Sequence, residues 1–312
     1  MRSIRIIVGL FLMIFSVIVA AVAYAGEIIG AGATFPQPIY LKWASDFKKE
    51  TNNIVNYQGV GSGAGIKQID ARTVIFGATD IPLKPEDLEK KGQVQFPMIV
   101  GGIVPIYNLK DITTLTLTVD VVAKIYSNKI TRWNDKELQD LNPNVKLPDI
   151  PIIKVRRSDG SGTTYNFTKY LSEANADWKK DYGFGPTVEW SGNAIGAKGN
   201  DGVANNVQQT NGSIGYVEYA FAKTNNLSSA EMIGTDGKKV VAGLAAFQSN
   251  WPMVAISYIV MYRENEEKEA AKLAVKFFEY GLSHDTEAMT MDYVPLTETQ
   301  KKETRKTLSQ IK

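Results

Sequence analysis

The stretch "RRSDGSGTTYNF" (residues 156–167) joins a predicted strand to a predicted helix. It follows the apolar run "IPIIKV" (150–155), which is typical of a buried strand. The apolar residues that come next have helical spacing and are Phe167, Tyr170, Leu171 and Ala174. Because a glycine-containing turn between a strand and a helix is the basic unit of α/β proteins, this junction indicates the fold class.

The same junction is rich in hydrogen-bond donors. Besides two arginines, it contains four hydroxyl residues, Ser158, Ser161, Thr163 and Thr164. The first-turn N–H groups of a helix have no partner inside the helix, and its N-terminus attracts negative charge. The stretch therefore predicts an anion site. On this stretch alone, an ordinary turn capped by Ser161 or Thr163 stays open as the alternative.

Three more strand-like runs lead into loops and helices. They are "EIIGAG" (27–32), "NIVNYQ" (53–58) and "TVIFGA" (73–78). The junctions after them carry Thr34, Ser62 and Asp80. Strands that alternate with helices in this way predict an α/β architecture, with mixed, mainly parallel sheets and helices on both faces.

The N-terminal segment has the features of a signal peptide. It begins with Arg2 and Arg5, continues with a long apolar run, and ends in Ala23-Tyr24-Ala25. This pattern predicts a signal peptide over residues 1–25, cleaved before Gly26. Since the apolar run is long for a signal peptide, an uncleaved membrane anchor stays open as an alternative.

Composition excludes several classes of function. Cysteine is absent, which excludes disulfides, thiol catalysis and a lipidated cysteine. Without the two arginines of the predicted signal peptide, the 35 basic residues become 33 and equal the 33 acidic residues. This balance argues against nucleic acid as a partner. Removing 25 of the 312 residues leaves a length that suits two domains.

Enzymatic alternatives find partial support. "GVGSGA" (59–64) matches the dinucleotide-binding fingerprint and is followed by Asp80, so a secreted NAD-type dehydrogenase stays open. A serine hydrolase would depend on His284, the single histidine, and the nucleophile-elbow motif is absent around Ser161. No group of histidine, aspartate and glutamate has metal-binding spacing. We therefore predict no catalytic residue, no metal and no cofactor.

Several motifs together resemble one family. The motifs are "GAGATFPQPIYLKWASDFKKE", "VNYQGVGSGAGIKQI", "FGATDIPL", "KITRWND", "VRRSDGSGTTYNF", "KGNDGVA" and "GSIGYVEYA". In this order they resemble the periplasmic phosphate-binding protein of the bacterial phosphate ABC importer, the PstS family. The similarity runs from about residue 28 to 223 and resumes at "WPM" (251–253). The resemblance implies a two-lobed periplasmic binding protein fold (type II) that closes over one phosphate ion.

The resemblance also implies a binding site. The residues that it places around phosphate are Thr34, Phe35, Ser62 and Asp80 from the first lobe, and Arg157, Ser161, Gly162 and Thr163 from the second. Phe35 and Gly162 would bind through backbone N–H groups, and Asp159 would orient Arg157. Arg156 is expected to point away, because adjacent strand residues face opposite sides. The sequence departs from the family pattern at Gly63, where a second serine is common, and in a short segment at 239–250.

These observations lead to one functional prediction. Residues 26–104 and 254–312 are predicted to form a discontinuous lobe I, and residues 105–253 to form lobe II. The expected function is high-affinity binding of inorganic phosphate in the periplasm, as a monomer, and delivery to the membrane permease of an ABC importer. A receptor for another tetrahedral oxyanion, such as sulfate, is the alternative within the same architecture.

Overall fold

The computed structural model describes residues 26–312 of the chain, so the predicted signal peptide at 1–25 lies outside the described residues. The strands are β1 (Glu27–Gly32), β2 (Ile54–Gly59), β3 (Phe76–Thr79), β4 (Gln93–Asn108), β5 (Thr116–Leu117), β6 (Ile153–Arg157), β7 (Ala194–Ala197), β8 (Ser213–Glu218), β9 (Ser228–Ser229), β10 (Glu231–Ile233), β11 (Lys239–Val240) and β12 (Val254–Tyr262).

Helices follow most of these strands. They are α1 (Gln37–Thr51), α2 (Ser62–Asp70), α3 (Pro85–Lys91), α4 (Val119–Tyr126), α5 (Lys136–Leu141), α6 (Gly162–Ala174), α7 (Ala176–Asp181), α8 (Gly199–Gln209), α9 (Tyr219–Thr224), α10 (Leu244–Phe247), α11 (Lys268–Ser283), α12 (Asp285–Thr290) and α13 (Glu298–Leu308). Within residues 26–312, every helix is too short or too polar to cross a bilayer.

The main sheet has the strand order β2-β1-β3-β12-β4-β8-β6-β7, and β9 also pairs with β4. Pairs at the two ends of the sheet, such as β1 with β3 and β6 with β8, are parallel. The central strands β12 and β4 pair antiparallel with their neighbours. A smaller sheet contains β11, β10 and β5. The sheet is therefore mixed.

Strand β4 connects two lobes. Its first part, through Gly102, pairs with β12, and its last part, from Ile103, pairs with β8. We call the half with β1–β3, β12 and the start of β4 lobe I, and the half with β6–β8 lobe II. The predicted lobe boundaries, between 104 and 105 inside β4 and between 253 and 254 at the start of β12, stay predictions.

Lobe I has helices on both faces of its sheet because successive strand residues point to opposite sides. Ile259 packs in the large core cluster with residues of α1 and α11, whereas Val260 packs in a second cluster with Ile69 of α2. Helix α2 lies so close to β1 that a Cβ at Gly65 would come within 2.4 Å of the Gly32 Cα. These packed helices hold the loops that follow β1 and β3 in fixed positions.

Candidate anion-binding site

The predicted site residues meet where the two lobes face each other. Lobe I contributes the loop after β1, the first residue of α2 and the residue after β3, and lobe II contributes the turn between β6 and α6. The side chains involved are at most 3% exposed: Thr34, Phe35, Ser62, Asp80, Arg157, Ser161 and Thr163. Their polar groups are thus removed from bulk water, and each one needs a partner.

Direct contacts between the lobes hold the site together. The Gly162 N–H donates to the Ser62 Oγ at 3.1 Å, and the Gly63 N–H donates to the Gly160 carbonyl at 2.9 Å. A methyl group at Gly162 would lie 2.6 Å from both the Asp80 Cβ and the Ser62 Oγ. The α6 N-terminus is therefore packed against lobe I as closely as glycine allows.

Four hydroxyl groups of the site accept hydrogen bonds from N–H groups. The Ser62 Oγ accepts from Gly162 and from Asp80, and the Ser161 Oγ accepts from the Thr164 N–H. The Thr34 hydroxyl accepts from the backbone and side-chain nitrogens of Asn200. The Thr163 hydroxyl accepts from the side chains of Arg157 and Asn200. In residues 26–312, none of the four donates to a protein acceptor. Because a hydroxyl carries one proton and two lone pairs, all four protons are available to a bound anion.

Backbone N–H groups add to the donor set, but the Gly162 N–H, which the family resemblance assigns to the anion, donates to the Ser62 Oγ instead. Among the hydrogen bonds within residues 26–312, neither the Phe35 N–H nor the Thr163 N–H has a protein acceptor. Thr163 is in the first turn of α6, where helix N–H groups point outward and the helix dipole favours an anion.

Arg157 is held by Asp159 in a two-pronged ion pair. Its Nε donates to one oxygen of Asp159 at 2.8 Å and its Nη2 donates to the other, while Nη1 lies 3.5 Å from the Thr163 Oγ1. Burial disfavours ionisation of Asp159, but Arg157 and the Gly199 N–H hold the pKa of this carboxyl below its ordinary value. The ionised Asp159 fixes the plane of the guanidinium, and the remaining N–H groups of Arg157 can reach an anion.

Arg156 has different surroundings from Arg157. Its Nη1 donates to the Arg157 carbonyl at 3.0 Å, and its side chain is half-buried, whereas Arg157 is 3% exposed. The two arginines are consecutive residues of β6, so they face opposite sides of the sheet.

Asp80 is the one acceptor among these donors that lacks a partner. Its Oδ1 is buried and has no hydrogen-bond donor within residues 26–312. Burial raises the pKa of Asp80 to about 7, although the nearby Ser257 hydroxyl and the Arg157 guanidinium lower it. An anion that itself carries an O–H group would supply the missing donor.

Comparison with known proteins identifies the family. A family model described as a PBP superfamily domain matches residues 20–285. The phosphate-binding protein PstS of Haemophilus influenzae is 44% identical over 301 residues, which cover 88% of this chain and 90% of that protein. The PstS of Pasteurella multocida is 42% identical over 306 residues, covering 89% of each chain. The chain belongs to the PstS family.

Solved structures agree with this PstS architecture. A protein from Clostridium perfringens, crystallised with bound phosphate and assigned to phosphate ABC transport, has a TM-score of 0.69 at 23% identity and covers 87% of this chain and 100% of its own. A phosphate-binding protein from Stenotrophomonas maltophilia has a TM-score of 0.66 at 18% identity. The match covers 90% of this chain and 94% of that protein. The two-lobed periplasmic binding protein fold is thus the fold of this chain.

Sequence reasoning gave no role to Asn200, which is fully buried at the start of α8. Its Nδ2 donates to the Thr34 Oγ1 at 2.8 Å and to the Thr163 Oγ1 at 3.3 Å, so it links the two lobes. The signal was present, because "KGNDGVA" follows the strand "AIGA" and opens a helix, as the other site junctions do. In this PstS family member, Asn200 donates to both threonine hydroxyls and so leaves their protons free for another acceptor.

Proposed function

We propose that this protein binds inorganic phosphate between its lobes, through the predicted site residues, and delivers it to the membrane permease of an ABC importer. The observation that carries the proposal is the composition of the site: many free donors, one arginine, and one buried carboxylate without a partner. Phosphate near neutral pH fits this set, since its oxygens accept hydrogen bonds and its remaining hydroxyl donates one.

The energetic argument is that the site replaces the water around the ion. Burying a multiply charged anion is very costly unless each oxygen is hydrogen-bonded. Charge-assisted bonds to Arg157 and bonds to hydroxyl and N–H groups satisfy this requirement. Ser62 and Ser161 come from different lobes, so the full donor set exists only when the lobes meet. Phosphate therefore favours the closed form.

Delivery depends on this coupling between binding and closure. A permease that recognises the closed shape would accept only the loaded protein. We propose that this occurs in the periplasm after export and that the protein acts as a monomer. The two PstS relatives, both named phosphate-binding proteins, support the binding role over the dehydrogenase alternative. The position of Asp80 also supports the binding role, because its side chain is packed against Gly162 at the interlobe site.

Sulfate is the competing ligand. It has the same tetrahedral shape, but near neutral pH it has no proton to donate to Asp80. Isothermal titration calorimetry of the protein, residues 26–312, with phosphate and with sulfate tests the proposal. We expect tight binding of phosphate and rejection of sulfate by about 10⁴–10⁵, as for sites built around a substrate hydroxyl. Equal affinity for both ions, or no binding of phosphate, would contradict the proposal.

Gly162→Ala is expected to weaken phosphate binding by about 5- to 150-fold. The new methyl group would lie 2.6 Å from the Asp80 Cβ and the Ser62 Oγ, so the lobes could not approach as closely. Overpacking of this kind typically costs about 1–3 kcal/mol. Calorimetry gives the affinity, and small-angle scattering shows whether phosphate still closes the lobes.

Gly160→Ala is the matched control for this change. A methyl group there would lie 3.4 Å from the Gly63 Cα, which is ordinary contact. We expect phosphate affinity within a few-fold of wild type. If Gly162→Ala bound phosphate as tightly as Gly160→Ala, the close approach at Gly162 would have no role in closure.

A further inference from the structure

Glu218 is a buried acid behind the site with no assigned role. It is fully buried at the end of β8, and its Oε2 accepts the Ala220 N–H at 2.9 Å. Its Oε1 has no hydrogen-bond partner. No lysine, arginine or histidine within residues 26–312 forms an ion pair with it. A buried carboxylate without a cation is costly, and a neutral carboxylic acid is much less so.

A count of protons around Tyr293 also indicates a neutral acid. The Tyr293 hydroxyl oxygen lies 2.8 Å from the Phe35 carbonyl oxygen and 2.8 Å from the Glu218 Oε2. Both are full hydrogen-bond distances, but a tyrosine has one proton to donate. The Phe35 carbonyl has none. If Tyr293 donates to Phe35, the second contact is completed by a proton on Glu218.

Glu218 is joined to the site by two routes. Through Tyr293 it reaches the carbonyl of Phe35, a predicted site residue whose N–H has no protein acceptor within residues 26–312. In addition, its own N–H donates to the Asn200 Oδ1 at 3.0 Å, and Asn200 holds the Thr34 hydroxyl. Glu218 belongs to lobe II, whereas Tyr293, Phe35 and Thr34 belong to lobe I, so the Glu218–Tyr293 contact crosses between the lobes.

We propose that Glu218 is a positioning residue of the site that works in its neutral form, donating across the lobe interface to Tyr293 so that Tyr293 donates to the Phe35 carbonyl and fixes the loop after β1. This inference rests on the proposed phosphate binding for its effect on affinity. When Glu218 loses its proton, the carboxylate attracts the Tyr293 proton, and the Phe35 carbonyl loses its donor. The loop after β1, which includes Thr34 and Phe35, is then held less firmly.

The surroundings set the pH at which this change occurs. Burial raises the pKa of Glu218 to about 8, the Ala220 N–H and the Tyr293 hydroxyl oppose the rise in part, and Asp292 adds to it. The other titratable groups on this side are Tyr219 and, beyond Tyr293, Asp80 and Tyr40. The nearby cation is Lys223, which donates to Asp292. Glu218 is therefore neutral below about pH 8 and ionises above it.

The first test measures phosphate affinity against pH for wild type and Tyr293→Phe. The variant leaves the buried Phe35 carbonyl without a donor, so we expect about tenfold weaker binding at pH 6–7. Above the pKa of Glu218, wild type has lost the same hydrogen bond, and the two affinities should converge. Ionisation of phosphate and of Asp80 also changes with pH, but it affects both proteins alike and cancels in the ratio of their affinities. A ratio that stays constant with pH would assign Tyr293 a merely structural role and overturn the proposal.

Tyr107→Phe is the control, because the Tyr107 hydroxyl is also buried but has no hydrogen-bond partner. We expect its affinity ratio to wild type to be near one at every pH. A pH-dependent ratio in this control would show that the convergence seen with Tyr293→Phe is not specific to Glu218, and would count against the proposal.

The second test needs no ligand and separates this inference from the proposed function. Infrared spectra of Asp80→Asn, which lacks the other acid of raised pKa at the site, should contain the carbonyl band of a protonated carboxylic acid at pH 6.5. The band should be absent from the double variant Asp80→Asn/Glu218→Gln. In the single variant Asp80→Asn, it should disappear as the pH rises through about 8. Absence of the band at pH 6.5 would overturn the proposal, even if phosphate binds. Failure of wild type to bind phosphate would instead contradict the proposed function.

Discussion

Arg157→Ala is expected to weaken phosphate binding by a factor between about 30 and several thousand, corresponding to about 2–5 kcal/mol for a truncated buried charge pair. Arg157 is 3% exposed and is the single cation among the predicted site residues. Its loss removes charged donors from the anion and leaves the half-buried carboxylate of Asp159 without its cation. Calorimetric titration of phosphate into the variant measures the effect.

Arg156→Ala is the matched control for this prediction. Arg156 is the same residue type one position earlier on β6, and its Nη1 bonds to a backbone carbonyl instead of a site group. We expect phosphate affinity within a few-fold of wild type. Circular dichroism of both variants checks that they fold. Equal losses in the two variants, or a larger loss at Arg156, would show that the wrong arginine has been assigned to the ligand.

Asp80→Asn is expected to change selectivity more than affinity. In wild type, the unpaired Asp80 Oδ1 can accept the phosphate hydroxyl, whereas sulfate would bring a like charge and leave this buried acceptor without a donor. Asparagine keeps the shape of the side chain, removes its charge and supplies donors. We expect sulfate rejection, about 10⁴–10⁵ in wild type, to fall by two orders of magnitude or more. Phosphate binding should be retained.

The pH dependence of sulfate binding gives an independent check on Asp80. Since the pKa of Asp80 is about 7 in this structure, the side chain becomes a neutral donor as the pH falls below that value. Sulfate affinity of wild type should therefore rise as the pH is lowered through 7. The Asp80→Asn variant has no group to titrate at this position, so its sulfate affinity should change little over the same range.

Asp159→Asn is the control for the selectivity experiment. Asp159 is the other carboxylate at the site, but it bonds to Arg157 and to the Gly199 N–H. We expect this change to weaken phosphate and sulfate together and to leave their ratio near the wild-type value. If a folded Asp80→Asn protein excluded sulfate as strongly as wild type does, Asp80 would be a turn residue without a role in selectivity.

Much of the fold could be predicted from the sequence because its signals are local. Apolar spacing and glycine turns indicated the strand and helix on either side of residues 156–167, and β6 and α6 are found there. The observed boundaries differ slightly: β6 begins at Ile153 and includes both arginines. The hydrogen bonds of α6 join near neighbours, and the apolar run marks β6 locally, although the ladder partners of β6 are the distant strands β7 and β8. The family motifs then predicted the two-lobed fold.

The tertiary structure alone decided how the site is completed. Asn200 contacts Thr34 across 166 positions of the chain, and Tyr293 contacts Phe35 across 258. No periodicity or spacing relates such residues, because the first contact depends on how the two lobes come together along β4 and β12, and the second on how the distant segments of lobe I pack. The sequence by itself determined which residues are chemically able to bind an oxyanion. Their raised or lowered pKa values and the direction of their protons follow from burial and from partners that only the folded chain brings near.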